Sequence, residues 1–364
     1  MIEETHVTSP QDMKPPVTRV GVVGWLRTNL FNNWYNSLLT LLTVYVLWKL
    51  VPPLVRWAII DAHWSGSGQA CRGGDGACWS IIPANFNLIL FGFYPQEEYW
   101  RPITAMVLLV ALIIYSKERK RWKKSLAWIW LAGVVVMWWL MHGGILGLPL
   151  VESTKWSGLP LTLTLALFGM VGAYPLGVLL ALGRRSRLPM IKALSVVYIE
   201  LIRGVPLISM LFMSAVMFPL FLPEGVTFDK VIRAQVAIIL FTAAYIAEVV
   251  RGGLQAIPRG QYEAADSLGL NYGQTTRLII LPQSLKIVVP PTVGILISAF
   301  KDTSLVVIIG LFDLLKTTKV ALANPKWAGF STEAYLFLAA VYFICCYAMS
   351  SYSRKLEKEL HTGR

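Results

Sequence analysis

Residues 301–304, Lys-Asp-Thr-Ser, place a cation, an anion and two hydroxyls in succession inside an otherwise apolar stretch. Charged side chains are costly inside a membrane span and often serve a function there. A zwitterionic ligand needs both charges, so Lys301 or nearby backbone N–H groups could bind a carboxylate, and Asp302 an ammonium group. Thr303 and Ser304 add hydroxyls. An internal ion pair or a brace between subunits explains these residues equally well, so both roles stay open for this candidate substrate path.

Two further charged residues in apolar segments, Glu248 and Arg203, are weaker candidates for the same path. Glu248 lies one helical turn before Arg251, so the two side chains can pair. This favours a salt bridge at the membrane interface, with a rearranging gate as the functional alternative. Arg203 precedes Gly204 and Pro206, which are predicted to interrupt their helix where it lines a cavity or a protein contact. Arg203 could bind an anionic group, but the interpretation as an inner-surface anchor is favoured.

Motifs for nucleotide binding or covalent catalysis are missing from the sequence. It contains no G-x-x-x-x-G-K-[ST] phosphate-binding loop, no H-E-x-x-H metal motif and no G-x-S-x-G nucleophile turn. The four histidines are dispersed along the chain. We therefore predict that the chain is not an enzyme and holds neither a cofactor nor a metal ion.

A polar stretch, residues 263–282, has its own helix-break-helix pattern. Glu263 is predicted to open a short helix, and Gly269 to break it because glycine takes turn conformations without steric cost. Asn271 can cap a second helix, and Pro282 is predicted to end that segment. Buried between spans, the stretch would leave charges and backbone groups unsatisfied. It is therefore predicted to protrude into water and to offer a surface to another protein.

The spacing in this stretch is E-A-A, three residues, Gly, nine residues, then Ile-x-Leu-Pro, and it resembles the cytoplasmic coupling loop of ABC importer permeases. The flanking segments 198–213, 244–261 and 300–311 are similar to those of the polar amino-acid permease family. The resemblance covers roughly residues 157–352. With three preceding spans and a loop holding two cysteines, the chain is also similar to the M-type subunit of the general L-amino-acid ABC transporter.

The resemblance implies the permease subunit of an ATP-driven amino-acid importer with a type I ABC importer-like five-helix core. Its coupling residues would be Glu263, Ala264, Ala265, Asp266, Gly269 and Leu270. ATP and Mg²⁺ would bind in a separate ABC ATPase dimer. A homologous permease subunit and a periplasmic amino-acid-binding protein would complete the complex. The alternative is an ion-driven secondary amino-acid transporter in which Lys301, Asp302 and Glu248 carry protons.

The composition independently predicts an all-α polytopic membrane protein. The chain is 55% hydrophobic and only 15% charged, below the usual quarter of soluble proteins. A span needs about 20 mainly apolar residues, which gives about eight transmembrane helices: 36–60, 100–116, 125–143, 159–183, 195–220, 231–251, 287–310 and 333–352. The predicted organisation is a partly disordered N-terminus (1–35), a three-span extension (36–143) with an outer loop (61–99), a permease core (157–352) with its coupling loop (262–282), and a tail (353–364).

The net charge of +13 could indicate nucleic-acid binding, but the distribution of the charges argues against it. With the N-terminus placed inside, 21 Lys and Arg residues fall in inner segments and 6 in outer segments. This excess is the positive-inside signal of a membrane protein. We therefore predict a lipid membrane and no nucleic acid as partner, with the chain in the bacterial inner membrane and both termini in the cytoplasm.

Two of the four cysteines, Cys71 and Cys78, lie in the predicted outer loop. The periplasm is oxidising and the intervening residues include three glycines, so a disulfide is favoured over two free thiols. Metal binding is a weaker interpretation because the only histidine nearby is His63. Cys345 and Cys346 lie in the last span and are predicted to be packing residues.

Overall fold

The computed structural model describes residues 21–226 and 228–361, apart from the side chains of Arg119, Leu360 and His361. The prediction of a partly disordered N-terminus therefore lies outside the described residues for positions 1–20, whereas Gly21–Asn29 forms helix α1. The described residues are predominantly helical. They fall into two compact units, up to Ser80 and from Ile81 onward.

The N-terminal unit contains one long apolar helix and a short disulfide-closed loop. Helix α2 spans Trp34–Val55 and continues as a π-helix, Arg56–Ile60, directly after the Pro52-Pro53 pair. The two prolines lack the backbone N–H groups that would pair with carbonyls one turn earlier in the helix. Helix α3, Gly68–Cys71, begins the loop, and a disulfide joins Cys71 to Cys78 with a Cα–Cα distance of 5.6 Å.

The second unit consists of two groups of helices with short connections. The first group is α4 (Ile81–Phe91), α5 (Trp100–Ser116) and α6 (Lys124–His142), with 3₁₀ turns at Gln96–Glu98 and Arg119–Arg121. The second group follows a 3₁₀ turn at Ser153–Lys155 and comprises α7 (Gly158–Arg184), α8 (Pro189–Gly204), α9 (Leu207–Phe212), α10 (Phe218–Leu220), α11 (Lys230–Gln255), α12 (Arg259–Ser267), α13 (Tyr272–Gln274), α14 (Leu281–Asp302), α15 (Leu314–Leu322) and α16 (Ser331–His361). Between them lie π-helices at Met213–Met217 and Thr275–Ile280, 3₁₀ helices at Thr303–Ile309 and Pro325–Trp327, and a two-residue strand, β1, at Phe312–Asp313.

Seven helical segments in the described residues are long and apolar enough to cross a membrane. If α8 and the bent continuation α9–α10 are counted together as one broken span, the number is eight. The prediction of an all-helical protein with about eight spans is therefore confirmed. The sixth span runs past its predicted end at Arg251 to Gln255, and the seventh helical path begins at Tyr272 rather than near residue 287. Helix α16 continues through most of the predicted tail to His361.

The fifth span is broken, as the Gly204 and Pro206 pair predicted. Val205 between them takes an extended conformation (φ −106°, ψ 132°), and the helices on either side are bent by 103°. The residue before a proline is sterically pushed out of the helical region, which explains why the break falls there.

Helices α5 and α6 belong to the same compact unit as the predicted permease core, whereas α2 does not. This division differs from the predicted three-span extension at 36–143. Arg101 of α5 explains part of the cohesion, because its fully buried guanidinium donates from Nε to the Leu140 carbonyl at 2.7 Å and from Nη1 to the Pro149 carbonyl at 2.9 Å. A buried cation that satisfies main-chain carbonyls fixes both the helix and the following loop.

Helices α7 and α11 pack closely at the centre of the core. Gly169, Gly172 and Gly177 of α7 face Ile238, Ile239 and Ile246 of α11. Small residues let helix backbones approach closely, which is how helices associate in lipid without a hydrophobic driving force.

Substitution of Gly177 by valine is expected to destabilise the protein. A Cβ atom at Gly177 would lie 2.7 Å from Ile246 Cβ and 2.9 Å from the Ala243 carbonyl oxygen, so the helices must separate. Overpacking of this kind costs roughly 1–3 kcal/mol. Gly294→Val is the matched control, because Gly294 is also inside a helix yet has no atom within 4 Å of its Cβ position. Thermal unfolding in detergent should show a lower midpoint for Gly177→Val alone; equal midpoints would contradict the packing argument.

Candidate functional site

The predicted coupling loop forms a helix, a tight turn and a second helix. Helix α12 begins at Arg259, with Pro258 in an extended conformation before it, so the prediction that Glu263 opens this helix is wrong. Proline fixes its own φ and starts the helix one turn earlier than the E-A-A pattern indicated. Gly269 has φ +70°, and the Leu270 N–H donates to the Ala265 carbonyl at 3.1 Å, which closes the helix end.

The second half of the loop is held by a capping box. The Gln274 N–H donates to the Asn271 side chain at 2.9 Å, and the Asn271 N–H donates to the Gln274 side chain at 3.0 Å. Pro282 does not end the segment, contrary to the prediction. The π-helix Thr275–Ile280 leads directly into α14, in which Pro282 is the second residue, so the helical path continues through this proline.

The loop is fixed to its own chain on one face and exposed on the other. Ala265 is fully buried, and Leu270 is half-buried. Exposed positions include Glu263, Ala264, Asp266 and Gly269. The neighbouring side chain of Leu268 is 76% exposed and lies beside these positions.

Arg185, at the end of α7, anchors the loop to the core. Its Nη1 donates to the Leu254 carbonyl at 2.8 Å and to the Tyr262 hydroxyl at 3.2 Å. The Gln283 amide donates to Gln261 at 2.9 Å, so α14 is attached to α12 as well. A force applied to α12 would therefore be transmitted to helices α7, α11 and α14.

Glu248 lies at the centre of an ionic cluster that joins three helices. Both its carboxylate oxygens accept hydrogen bonds from Arg251, as the sequence spacing predicted. Arg184 of α7 lies 3.4 Å from the carboxylate, and Arg203 of α8 lies 3.8 Å from it. Arg184 also pairs with Glu200 at 2.9 Å. Arg184 and Glu200 could not be identified as partners from residue spacing, because they come from other helices.

The Lys-Asp-Thr-Ser quartet spans the junction between α14 and the 3₁₀ helix that follows it. The Thr303 hydroxyl donates to the Phe300 carbonyl at 2.7 Å and is buried. Lys301 is exposed, while Asp302 and Ser304 are half-buried. Within the described part of the chain, neither Lys301 nor Asp302 takes part in a salt bridge. The internal ion pair considered as an alternative is thus not formed, and both charges are available to another molecule.

Asp313 is a buried carboxylate that the sequence analysis missed. It caps α15 by accepting from the backbone N–H groups of Leu315 and Lys316, each at 3.0 Å. It lies just outside the seventh helical span and is fully buried. Burial raises the pKa of this carboxyl to about 6, although the two backbone hydrogen bonds favour the charged form. An Asp ahead of an apolar helix start was the available signal for the cap.

Replacement of Asp313 by asparagine is expected to change how stability depends on pH. Because the pKa rises from 3.8 to about 6 on folding, the folded state binds the proton more tightly than the unfolded state. The wild type therefore loses stability relative to Asp313→Asn as pH rises from about 4 to 6, by up to about 3 kcal/mol. Thermal unfolding of both proteins in detergent across this range measures the difference. A difference that is constant with pH would contradict the raised pKa.

The helices that can cross a membrane, the broken span and the exposed helical loop together define a polytopic membrane protein of the permease class. A family model described as the inner membrane component of binding-protein-dependent transport systems matches residues 173–361. This chain belongs to that family. The predicted class, an ABC importer permease, is confirmed; such permeases lie in a membrane and work with a separate ATPase.

Relatives and a solved structure agree with this assignment. YhdY of Escherichia coli (strain K12), an inner membrane amino-acid ABC transporter permease protein, is 50% identical over 93% of this chain and 93% of its own length. BztC of Rhodobacter capsulatus, a glutamate/glutamine/aspartate/asparagine transport system permease protein, is 36% identical over 95% of both chains. A crystal structure of an amino acid ABC transporter with histidines has 30% identity and a TM-score of 0.50, covering 56% of this chain and 92% of that one.

Proposed function

We propose that this chain is the permease subunit of an ATP-driven amino-acid importer. The observation that carries the proposal is the α12 loop, which matches the coupling pattern and exposes Glu263, Ala264 and Asp266 on a rigid support. The amino-acid permeases YhdY and BztC, similar over nearly the whole chain, support amino acids as the substrate class. ATP and Mg²⁺ bind to the ATPase subunits rather than to this chain.

Rigid-body motion links ATP binding to the membrane helices in this proposal. The helix α12 docks in a groove of an ATPase subunit, as amphipathic helices commonly dock in protein grooves. When the ATPase dimer closes, α12 moves, and the hydrogen bonds of Arg185 and Gln283 carry α7, α11 and α14 with it. Packed interfaces shift as units, so a small displacement at the loop reorients whole helices.

The full complex contains a homologous permease subunit, two ATPase copies and a periplasmic amino-acid-binding protein. Both termini and the α12 loop lie in the cytoplasm, which the distribution of basic residues supports. Lys301 and Asp302 are the proposed substrate contacts, because their charges lack salt-bridge partners within the described residues. Thr303 serves as a structural neighbour, since its hydroxyl is bound to the backbone.

Uptake of a radiolabelled amino-acid mixture into vesicles containing the complete complex tests the proposal. ATP and binding protein should be required, and collapse of the ion gradients by an ionophore should leave uptake unchanged. Uptake that persists without ATP and stops with the ionophore would instead show the ion-driven alternative. Uptake that needs neither energy source would contradict both.

A further inference from the structure

The hairpin between α5 and α6 carries the densest charge in the chain. Residues 117–124, Lys-Glu-Arg-Lys-Arg-Trp-Lys-Lys, contain six basic residues and one acidic residue. We call this segment the basic hairpin. It is separate from the α12 loop and from the candidate substrate path, and neither coupling nor transport as proposed above requires it.

Contacts within the basic hairpin neutralise its one acidic residue, Glu118, and hold the segment in a defined conformation. Arg121 pairs with Glu118 at 2.8 Å, and its guanidinium lies over the Tyr115 ring at 4.4 Å. The Trp122 indole N–H donates to the Ser116 carbonyl at 2.9 Å. The segment is therefore an ordered turn with one internally balanced ion pair.

Four lysines of the basic hairpin remain exposed and unpaired. Among the residues that the structure describes, none of them takes part in a salt bridge; they are Lys117, Lys120, Lys123 and Lys124. Two of them stand at the start of α6, where Lys123 is the N-cap residue and no acidic residue occupies the first turn. Cations at the positive end of a helix dipole are electrostatically unfavourable. A bound anion would offset this cost and the mutual repulsion of the lysines.

The position of the lysines relative to the membrane spans indicates which kind of anion would bind. Helices α5 and α6 are both membrane spans, and one ends at Ser116 while the other begins at Lys124. The lysines therefore lie at the level of the lipid headgroups, whichever side of the membrane the hairpin occupies. Trp122 is 44% exposed between them, and partly exposed tryptophans are typical of the membrane–water interface.

We propose that the basic hairpin binds the phosphate of an anionic phospholipid, with Lys117, Lys120, Lys123 and Lys124 as ligands and Trp122 at the acyl-headgroup boundary. Clusters of basic residues at the end of a span attract anionic lipid, and each Lys or Arg near the surface adds to the attraction. The positive-inside effect requires only that basic residues be present. A lipid site further requires that they be free of salt bridges and lie close together in the chain at the end of a span, as these four do.

Spin-labelled phosphatidylglycerol in phosphatidylcholine nanodiscs containing the full chain tests this site. The fraction of immobilised label gives the preference for the anionic lipid. The variant K117Q/K120Q/K123Q/K124Q is expected to reduce this preference at least roughly tenfold, and the same four positions changed to arginine should keep it. The control K155Q/K316Q/K319Q/K326Q removes four lysines elsewhere in the chain and should behave like wild type.

Three results would overturn the proposal. The first is an unchanged lipid preference in the four-glutamine variant, and the second is an equal loss in the control. The third is that glycerol 3-phosphate in solution displaces the labelled lipid as effectively as unlabelled phosphatidylglycerol does. That result would show that the lysines bind a soluble phosphate. If the four-glutamine variant does not fold, K117Q/K120Q and K123Q/K124Q replace it, and each should show a smaller loss while four basic residues stay in the hairpin.

Discussion

The combined substitution Glu263→Arg and Gly269→Arg is expected to abolish the stimulation of ATP hydrolysis by binding protein and amino acid. Glu263 is exposed, and its side chain has no hydrogen bond or ion pair within the described residues, so reversing its charge leaves the fold of this chain intact. Gly269 has φ +70° and no atom within 4 Å of its Cβ position. Arginine there has space in the isolated chain and costs about 1–2 kcal/mol of backbone strain.

The effect of the two substitutions therefore reports on a surface outside this chain. In a packed interface, a reversed charge and a bulky side chain are each strongly unfavourable. We expect stimulated hydrolysis to fall at least tenfold toward the basal rate and the ATPase to co-purify poorly with the variant permease. The measurement is ATP hydrolysis by the complete complex in lipid, with and without binding protein and amino acid.

The loop at Glu224 and Gly225 provides a matched control. Glu224 is exposed, and Gly225 has φ +83° with no atom within 4 Å of its Cβ position. The pair Glu224→Arg and Gly225→Arg thus imposes the same charge reversal and the same strain in a different loop. Co-purification of the ATPase should be unaffected by it. Equal loss in both variants, or full stimulation with the variant at 263 and 269, would show that the α12 loop is not the coupling element.

Short-range sequence patterns predicted much of the fold and of the α12 loop. Gly269 acts through its own backbone conformation, and Asn271 through a side chain that accepts from a backbone N–H three residues later, so a turn and a helix cap could be inferred from neighbouring residues alone. The break at Val205 followed from Pro206 for the same reason. The number of spans followed from the length of the apolar stretches, because a helix needs about 20 consecutive apolar residues to cross the hydrocarbon core.

Contacts between helices could not be inferred in this way. Glu248 and Arg251 share a helix, and their pairing was predicted, whereas Arg184 and Glu200 reach the cluster from α7 and α8. The burial of Arg101 depends on carbonyl groups about 40 residues or more away along the chain. Helix starts were also misplaced where proline set them, as at Pro258, because the family pattern marks contact residues rather than helix ends.

Substitution of Glu248 by glutamine is expected to have the second large effect, on both stability and transport. In the wild type, Arg184, Arg203 and Arg251 are balanced by Glu200 and Glu248, which leaves one net positive charge. Glutamine keeps the shape but leaves two net positive charges among partly buried groups. Loss of charged hydrogen bonds of this kind costs about 1–3 kcal/mol. Thermal unfolding in detergent and ATP-driven uptake in vesicles are the measurements.

Glu200→Gln is the control within the same cluster. Glu200 pairs with Arg184, and its side chain is 54% exposed, compared with 24% for Glu248. Exposed ion pairs contribute about 0–1 kcal/mol. Glu200→Gln should therefore change the unfolding midpoint little and retain most of the uptake. A loss equal to that of Glu248→Gln would show that net charge matters and that the position of Glu248 does not.

The double variant Glu248→Gln with Arg251→Gln separates a structural brace from a substrate contact. It restores one net positive charge, because two arginines then face Glu200. Both oxygens of Glu248 already accept hydrogen bonds from Arg251 in the wild type, which leaves little capacity for an amino-acid ammonium group. We therefore expect the double variant to recover part of both the stability and the uptake lost in Glu248→Gln. Recovery of stability without any recovery of uptake would instead place Glu248 on the substrate path beside Lys301 and Asp302.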